Sequence, residues 1–170
     1  DLDFPVEKNI KLLADAKNIS PDKLVACVLE RPRHDRIIDS LNSMGVKIVF
    51  ITDGDVAGVI SVADPKSNID IYLGTGGGPE GVLAASALSC LDSQIQTRLV
   101  FQDDDEKKRA KKMGIKELNI KYNTNDMVKG DVIFCATGVT DGNLVKGIND
   151  VGDHFETETF VLHKSSKTNK

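Results

Sequence analysis

Apolar and polar positions along this chain alternate between two rhythms. In residues 5–17, Val6, Ile10, Leu13 and Ala14 recur at helical spacing, with Pro5 near the first turn, where its missing N–H costs nothing. Ser20-Pro21-Asp22 then punctuates the chain. Residues 24–29 form a continuous apolar run, the pattern of a strand covered on both faces. A helix is expected next over 33–44, with Ile37, Ile38, Leu41 and Met44 on one face and Gly45 closing it. The cycle repeats with a strand over 46–51, a short apolar helix over 55–63, a strand over 69–73, a glycine loop and a helix over 80–91. Further strands are expected at 97–101, 131–136 and 159–162, and a charged helix at 104–113. Strands alternating with helices predict crossover connections, hence an α/β fold with a largely parallel sheet and flanking helices. No internal repeat and no long linker divides residues 1–170, which read as a single domain.

Composition narrows the class without naming a chemistry. A net charge of −4 over 170 residues argues against nucleic-acid partners, which call for a basic face, and the apolar runs are too short to cross a bilayer. The acids and bases of residues 103–109 follow the order that a helix dipole favours, so that run reads as a solvated helix face. Cys27, Cys90 and Cys135 lie far apart in apolar runs and read as buried thiols in a reducing compartment. The opening Asp1-Leu2-Asp3 carries no secretory signal and reads as the middle of a gene product, and residues 164–170 read as a loose polar end.

Candidate chemistry gathers in the loops expected at the carboxyl ends of the strands, where open parallel sheets collect ligands. The first loop holds Arg31-Pro32-Arg33-His34. Paired guanidinium groups at a helix start suit a phosphate, but the same pair could serve as surface arginines bonded to Glu30, Asp35 or Asp39. The second holds Asp53-Gly54-Asp55, whose carboxylates could accept sugar hydroxyls or hold a hard cation. Asp55 could equally be a plain N-cap. The third, residues 74–81, is the most glycine-rich stretch, suited to close backbone approach to an anion, and Glu80 beside it is either a routine helix-start acid or a metal ligand. Gly76, Gly78 and Gly81 also fit a dinucleotide-binding spacing, weakened by Pro79 and by the lack of a well-placed acid after the following strand. Residues 136–142 could rim the same site, although a plain loop accounts for them. His34, His154 and His163 are scattered and make no metal-ligand spacing.

Taken together, the segments 30–35, 53–57, 76–85, 136–142 and 157–159, in this order and spacing, resemble the bacterial class II fructose-1,6-bisphosphatase family over the whole chain. The resemblance implies the C-terminal half of a two-half, inositol-monophosphatase-like sugar phosphatase fold. It implies a metal-dependent enzyme, using Mn²⁺ or Mg²⁺, that removes the 1-phosphate of fructose-1,6-bisphosphate in gluconeogenesis in the cytoplasm, as a homo-oligomer. It assigns Arg31, Pro32, Arg33, Asp53, Gly54, Asp55 and Gly77 to the substrate and Glu80 to the metal. The remaining metal carboxylates would belong to an upstream N-terminal half absent from this chain, so the chain alone is expected to hydrolyse nothing. Gly78 stands where the family usually has alanine. Three alternatives remain alongside: sedoheptulose-1,7-bisphosphate as substrate, a sugar-phosphate-binding or regulatory module without catalysis, and a dinucleotide-binding domain.

Overall fold

The computed structural model describes residues 1–169. It opens with helix α1 (Val6–Lys17), whose terminal Asn18 adopts a left-handed conformation and returns its N–H to the helix carbonyls. Strand β1 (Val25–Leu29) follows and is buried at every position, as its unbroken apolar run requires. Helix α2 (Asp35–Ser43) and strand β2 (Lys47–Ile51) come next, then helix α3 (Asp55–Ser61), strand β3 (Ile71–Tyr72) and helix α4 (Gly78–Cys90). The three strands form one parallel sheet in the order β2-β1-β3, with Cys27 facing both Val49 and Tyr72.

The first half thus follows the expected alternation; the second does not. Strand β4 (Gln96–Thr97) pairs antiparallel with β5 (Tyr122–Asn123), with helix α5 (Asp104–Lys112) between them and helix α6 (Thr124–Met127) after. The strand expected over 97–101 stops at Thr97: Arg98 is drawn to the Asp3 carboxylate and Val100 is 67% exposed, so no sheet receives these residues. Strand β6 (Ile133–Thr137) pairs antiparallel with β9 (Thr159–His163), and β9 with β10 (Thr168–Asn169). Between β6 and β9 lies only a small antiparallel pair, β7 (Asn149–Asp150) with β8 (Phe155–Glu156). The expectation of a largely parallel sheet is therefore corrected to three parallel strands plus separate antiparallel pairings. For β6 and β9 the physical reason is that residues 138–158 supply no crossover helix to carry the chain back for a parallel pairing, whereas β4 and β5 pair antiparallel although α5 lies between them. The expected loose end is also corrected in part, since residues 168–169 pair with β9, while Lys170 lies outside the described residues.

Packing stacks these elements in layers. Ile10 and Ala14 of α1 and Leu41 of α2 pack with Leu24, Ala26 and Val28 on one face of the parallel sheet. On the other face, α3 and α4 fill the space between the two sheets. Val59, Ala84 and Leu88 meet Tyr72, while Ile60, Ala87 and Cys90 meet Phe134 and Leu162 of the antiparallel sheet. A helix wedged between two sheets must be apolar on more than one side, and α4 is. Cys27 and Cys90 are buried as expected. Cys135 is exposed, a correction that follows from its place on an alternating strand whose Phe134 faces the helices and whose Cys135 faces away.

Candidate functional site

The carboxyl ends of β1, β2 and β3 are laced together by the residues between β1 and α2. Pro32 opens a single tight helical turn, Pro32–His34, after Arg31 in extended backbone. From this turn, side chains reach all three strand ends. The Arg31 guanidinium donates to the Glu30 carbonyl at 2.7 Å and to the Thr52 carbonyl, one residue past β2, at 2.5 Å. Arg33 Nε donates to the Thr75 carbonyl in the glycine loop after β3 at 2.9 Å. His34, fully buried, has Nδ1 2.7 Å from the Leu29 carbonyl at the end of β1. Its Nε2 accepts the Thr75 N–H at 2.8 Å.

Of the two expectations for the arginines, the pairing with nearby carboxylates is the one that does not form. Instead they clamp backbone carbonyls of the two adjoining loops. Only Nε of Arg33 is engaged, so among the described residues its two terminal NH₂ groups make no protein hydrogen bond and form an open fork of the kind that matches a phosphate. Pro32 and Arg33 are exposed at the rim.

The second loop resolves the ambiguity over Asp55. The N-cap position of α3 is taken by Gly54, at φ 72°, a left-handed conformation that glycine adopts without a Cβ penalty. Asp55 is the first helical residue and makes no capping bond, so the N-cap explanation fails. Burial holds its carboxyl above the usual carboxylate range, and the nearby Glu80 charge pushes the same way. Asp53 is exposed.

The third loop brings Glu80 to Asp55. Glu80, in the first turn of α4, accepts the backbone N–H of Gly77 through Oε2, the ordinary helix-start role. It does not stop there. A Cβ on Gly76 would run into Asp55 Oδ2 and lie 3.0 Å from Glu80 Oε2, so both carboxylates close around this glycine. Two carboxylates in so small a space repel, and a hard cation coordinated by oxygen would relieve the repulsion. Such donors fit Mg²⁺ or Mn²⁺ in kind but not in number: among the described residues no three His, Cys, Asp or Glu side chains converge.

Two residues here have roles that the sequence does not mark. His34 fits no metal-ligand spacing, and only its place directly after Arg33 in the first loop singles it out. The Tyr72 hydroxyl is buried with no hydrogen-bond partner among the described residues. Burial, then the Asp55 charge, raise its pKa. An orphaned hydroxyl costs free energy, on the order of 1–3 kcal/mol, unless a ligand or water meets it. Nothing in the sequence marked Tyr72 as other than a strand residue.

Not every predicted residue lines one cavity. A cleft of about 560 Å³ runs beside the site, walled by Thr52, Asp53 and Gly54 on one side and by residues 136–145 on the other. Of the two readings open for residues 136–142, a plain loop or a rim, the structure makes them a wall of this cleft. Its shape depends on close backbone contact, for a Cβ on Gly138 would collide with the Lys146 carbonyl, and Thr157 Oγ1 donates to the Gly138 carbonyl at 2.5 Å. Arg31, Arg33, Gly77 and Glu80 lie outside this cleft. A second hollow, between the end of α4 and α6, is lined by Ser89, Asp92, Thr124 and Lys164 and contains none of the predicted residues.

Comparison with known proteins gives one answer throughout. The family model described as bacterial fructose-1,6-bisphosphatase, glpX-encoded, matches residues 1–170. A fructose-1,6-bisphosphatase class 2 of Haemophilus influenzae is 37% identical over 182 residues, covering 99% of this chain and 54% of the relative. A D-fructose 1,6-bisphosphatase class 2/sedoheptulose 1,7-bisphosphatase of Synechococcus sp. (strain JA-3-3Ab) is 31% identical over 180 residues, covering 98% of this chain and 52% of that protein. The chain spans about half the length of the curated relatives it matches. With a match over its whole length, the chain belongs to the glpX-encoded bacterial fructose-1,6-bisphosphatase family.

Proposed function

We propose that this chain is the substrate-binding part of a class 2 fructose-1,6-bisphosphatase that releases the 1-phosphate of fructose-1,6-bisphosphate, serving gluconeogenesis in the cytoplasm. The observation that carries this reading is the family match over every residue, joined to the gathering of Arg33, Asp55 and Glu80 at three adjoining strand ends. In this reading the open fork of Arg33 grips a phosphate of the substrate, and Arg31 and Pro32 hold the segment that presents it. Asp53 accepts sugar hydroxyls, with Gly54 and Gly77 allowing the backbone to approach. Asp55 and Glu80 together hold Mn²⁺ or Mg²⁺, a wider role for Asp55 than substrate contact alone. When bound, such a cation polarises a phosphoryl oxygen and makes a water molecule acidic enough to attack.

Two carboxylates fill only part of an octahedral shell. The remaining ligands would come from the other half of the protein, a length that the relatives possess beyond the region matched here. Val82 and Leu83 are 45% and 50% exposed two and three residues after Glu80, where that half, or a second subunit of a homo-oligomer, would be accommodated. Sedoheptulose-1,7-bisphosphate stands as a second substrate, because the Synechococcus relative is named for both activities.

The cation part is tested by adding Mn²⁺ to the ¹⁵N-labelled chain. Paramagnetic broadening should fall first on Asp55, Gly76, Gly77 and Glu80. Broadening confined to the acidic first turn of α5, at Asp104, Asp105 and Glu106, would count against the assignment.

A further inference from the structure

We propose that His34 is a positioning residue: as a neutral, Nδ1-protonated imidazole it locks the glycine loop to the arginine segment, fixing the phosphate-binding fork relative to the carboxylate pair. The inference rests on the site described under Proposed function and adds a residue that makes no contact of its own with substrate.

The partners of the two ring nitrogens fix the tautomer. Thr75 N–H can only donate, so the ring nitrogen that receives it, Nε2, must carry a lone pair. The Leu29 carbonyl can only accept, so Nδ1 must carry the proton. One tautomer satisfies both, and it leaves the ring without charge in a site with no solvent exposure. Both ring nitrogens are then engaged, and both bind backbone rather than a mobile side chain.

What the ring grips gives it a purpose beyond filling a core. Thr75 is held through its N–H by His34 and through its carbonyl by the adjacent Arg33. The next residue, Gly76, is the glycine around which Asp55 and Glu80 close. Arg33-His34 on one strand end and Thr75-Gly76 on another therefore form a rigid coupling, and the distance from guanidinium to carboxylates is set through it. The loop carries Gly74, Gly76, Gly77 and Gly78, residues with the least conformational restraint, so without a tether it would sample many positions. The preceding residue lies close over the same edge of the ring: a Cβ on Gly74 would lie 3.3 Å from His34 Cε1 and 3.4 Å from its Nε2. A substrate whose phosphate binds the fork while its reacting end meets a cation needs that distance constant, since small misplacements of reacting groups are costly in rate.

Substitutions separate positioning from mere core filling. His34→Gln can place an amide oxygen near the Nε2 position and accept the Thr75 N–H. His34→Asn can place an amide N–H near the Nδ1 position and serve Leu29, but it cannot reach Thr75. Asn also leaves the larger void in this buried site, so the readouts that separate positioning from core filling are local: release of the Thr75 amide with β1 and α2 still protected.

The experiment uses ¹⁵N-labelled chain. Ring ¹⁵N shifts should report the Nδ1–H tautomer in the wild type, and the Thr75 amide should exchange slowly with solvent. His34→Asn should free the Thr75 amide while amides of β1 and α2 keep their protection. Titration with fructose-1,6-bisphosphate, followed at Thr75, Gly76 and Gly77, should give an affinity lowered about tenfold in His34→Asn and within about threefold of wild type in His34→Gln, as expected for one buried hydrogen bond. A wild-type Nε2–H tautomer, a rapidly exchanging Thr75 amide, or equal affinities for wild type and the folded His34→Asn chain would overturn the proposal. If the wild type shows the tautomer and the protected amide yet no shift with the sugar bisphosphate, the coupling is supported and the assignment of the site to that ligand is what fails.

Discussion

Gly58→Ala should destabilise the chain, because it places a methyl group where α3 meets the parallel sheet. Gly58 lies one turn into α3 and faces the parallel sheet. A Cβ there would sit 2.8 Å from Ile51 Cδ1, 3.1 Å from Tyr72 Cε2 and 3.3 Å from Cys27 Sγ. The first is the end of a flexible side chain, but the other two belong to a ring and to a fully buried thiol, so the new methyl is hemmed in on three sides. Overpacking of this kind costs about 1–3 kcal/mol, and three converging contacts favour the upper half. Alanine in a helix interior recovers about 1 kcal/mol relative to glycine. The net expectation is a destabilisation of about 1–2 kcal/mol, which with a slope of about 2 kcal/mol per molar lowers the urea midpoint by about 0.5–1 M. Gly78→Ala is the matched control, since nothing lies within 4 Å of its would-be Cβ and its φ is not positive; it should leave the midpoint unchanged or raise it. A Gly58→Ala midpoint at or above wild type would refute the claim that α3 is seated on the sheet by that glycine. The seating matters because Asp55 is on the same helix, three residues earlier.

Two other predictions concern titratable groups. Burial pushes the Cys27 thiol up to about 11, whereas Cys135 is exposed, so a thiol reagent at pH 8 should modify one cysteine rapidly in the native chain and all three in denaturant. Hydrogen bonds from Ser165 and His163 hold the Asp131 carboxyl near 2, below its ordinary 3.8. A carboxyl with a depressed folded pKa adds stability above its unfolded value and loses it as pH falls through the folded one. Asp131→Asn should therefore be less stable than wild type at pH 7, and urea midpoints of the two should converge as pH falls from about 4 towards 2.

How much of this could be read from the sequence depended on how local the determinants were. The strands of the parallel sheet were legible because β1 is apolar throughout and covered on both faces, and α2 and α5 because their faces or charges repeat at helical spacing. The run after Thr97 looked equally apolar, but its fate turned on Arg98 meeting Asp3, a contact between residues 95 positions apart that no window contains. The antiparallel return of β9 was in principle visible, since residues 138–158 carry no helical rhythm, but the alternation of the first half invited extrapolation. At the site, residue types were legible and partners were not. Two arginines at a helix start suggested phosphate, yet that Arg31 would clamp Thr52 and Arg33 would clamp Thr75 depends on strand order. Glycine at position 54 permitted a left-handed turn, but only the turn itself showed that Asp55 was released from capping. His34 and Tyr72 earned their roles solely through what three strand ends bring beside them.

If this chain carries one part of a shared phosphatase centre, as proposed above, phosphate release is where that shows. Fructose-1,6-bisphosphate would be supplied with Mn²⁺ or Mg²⁺ to the chain alone, to the chain mixed with the complementary half of the Haemophilus influenzae relative, and to that mixture carrying Glu80→Ala. Phosphate should be released only by the mixture, and the release should be lost with Glu80→Ala. Release by the isolated chain, or release from the mixture undiminished by Glu80→Ala, would contradict the proposal.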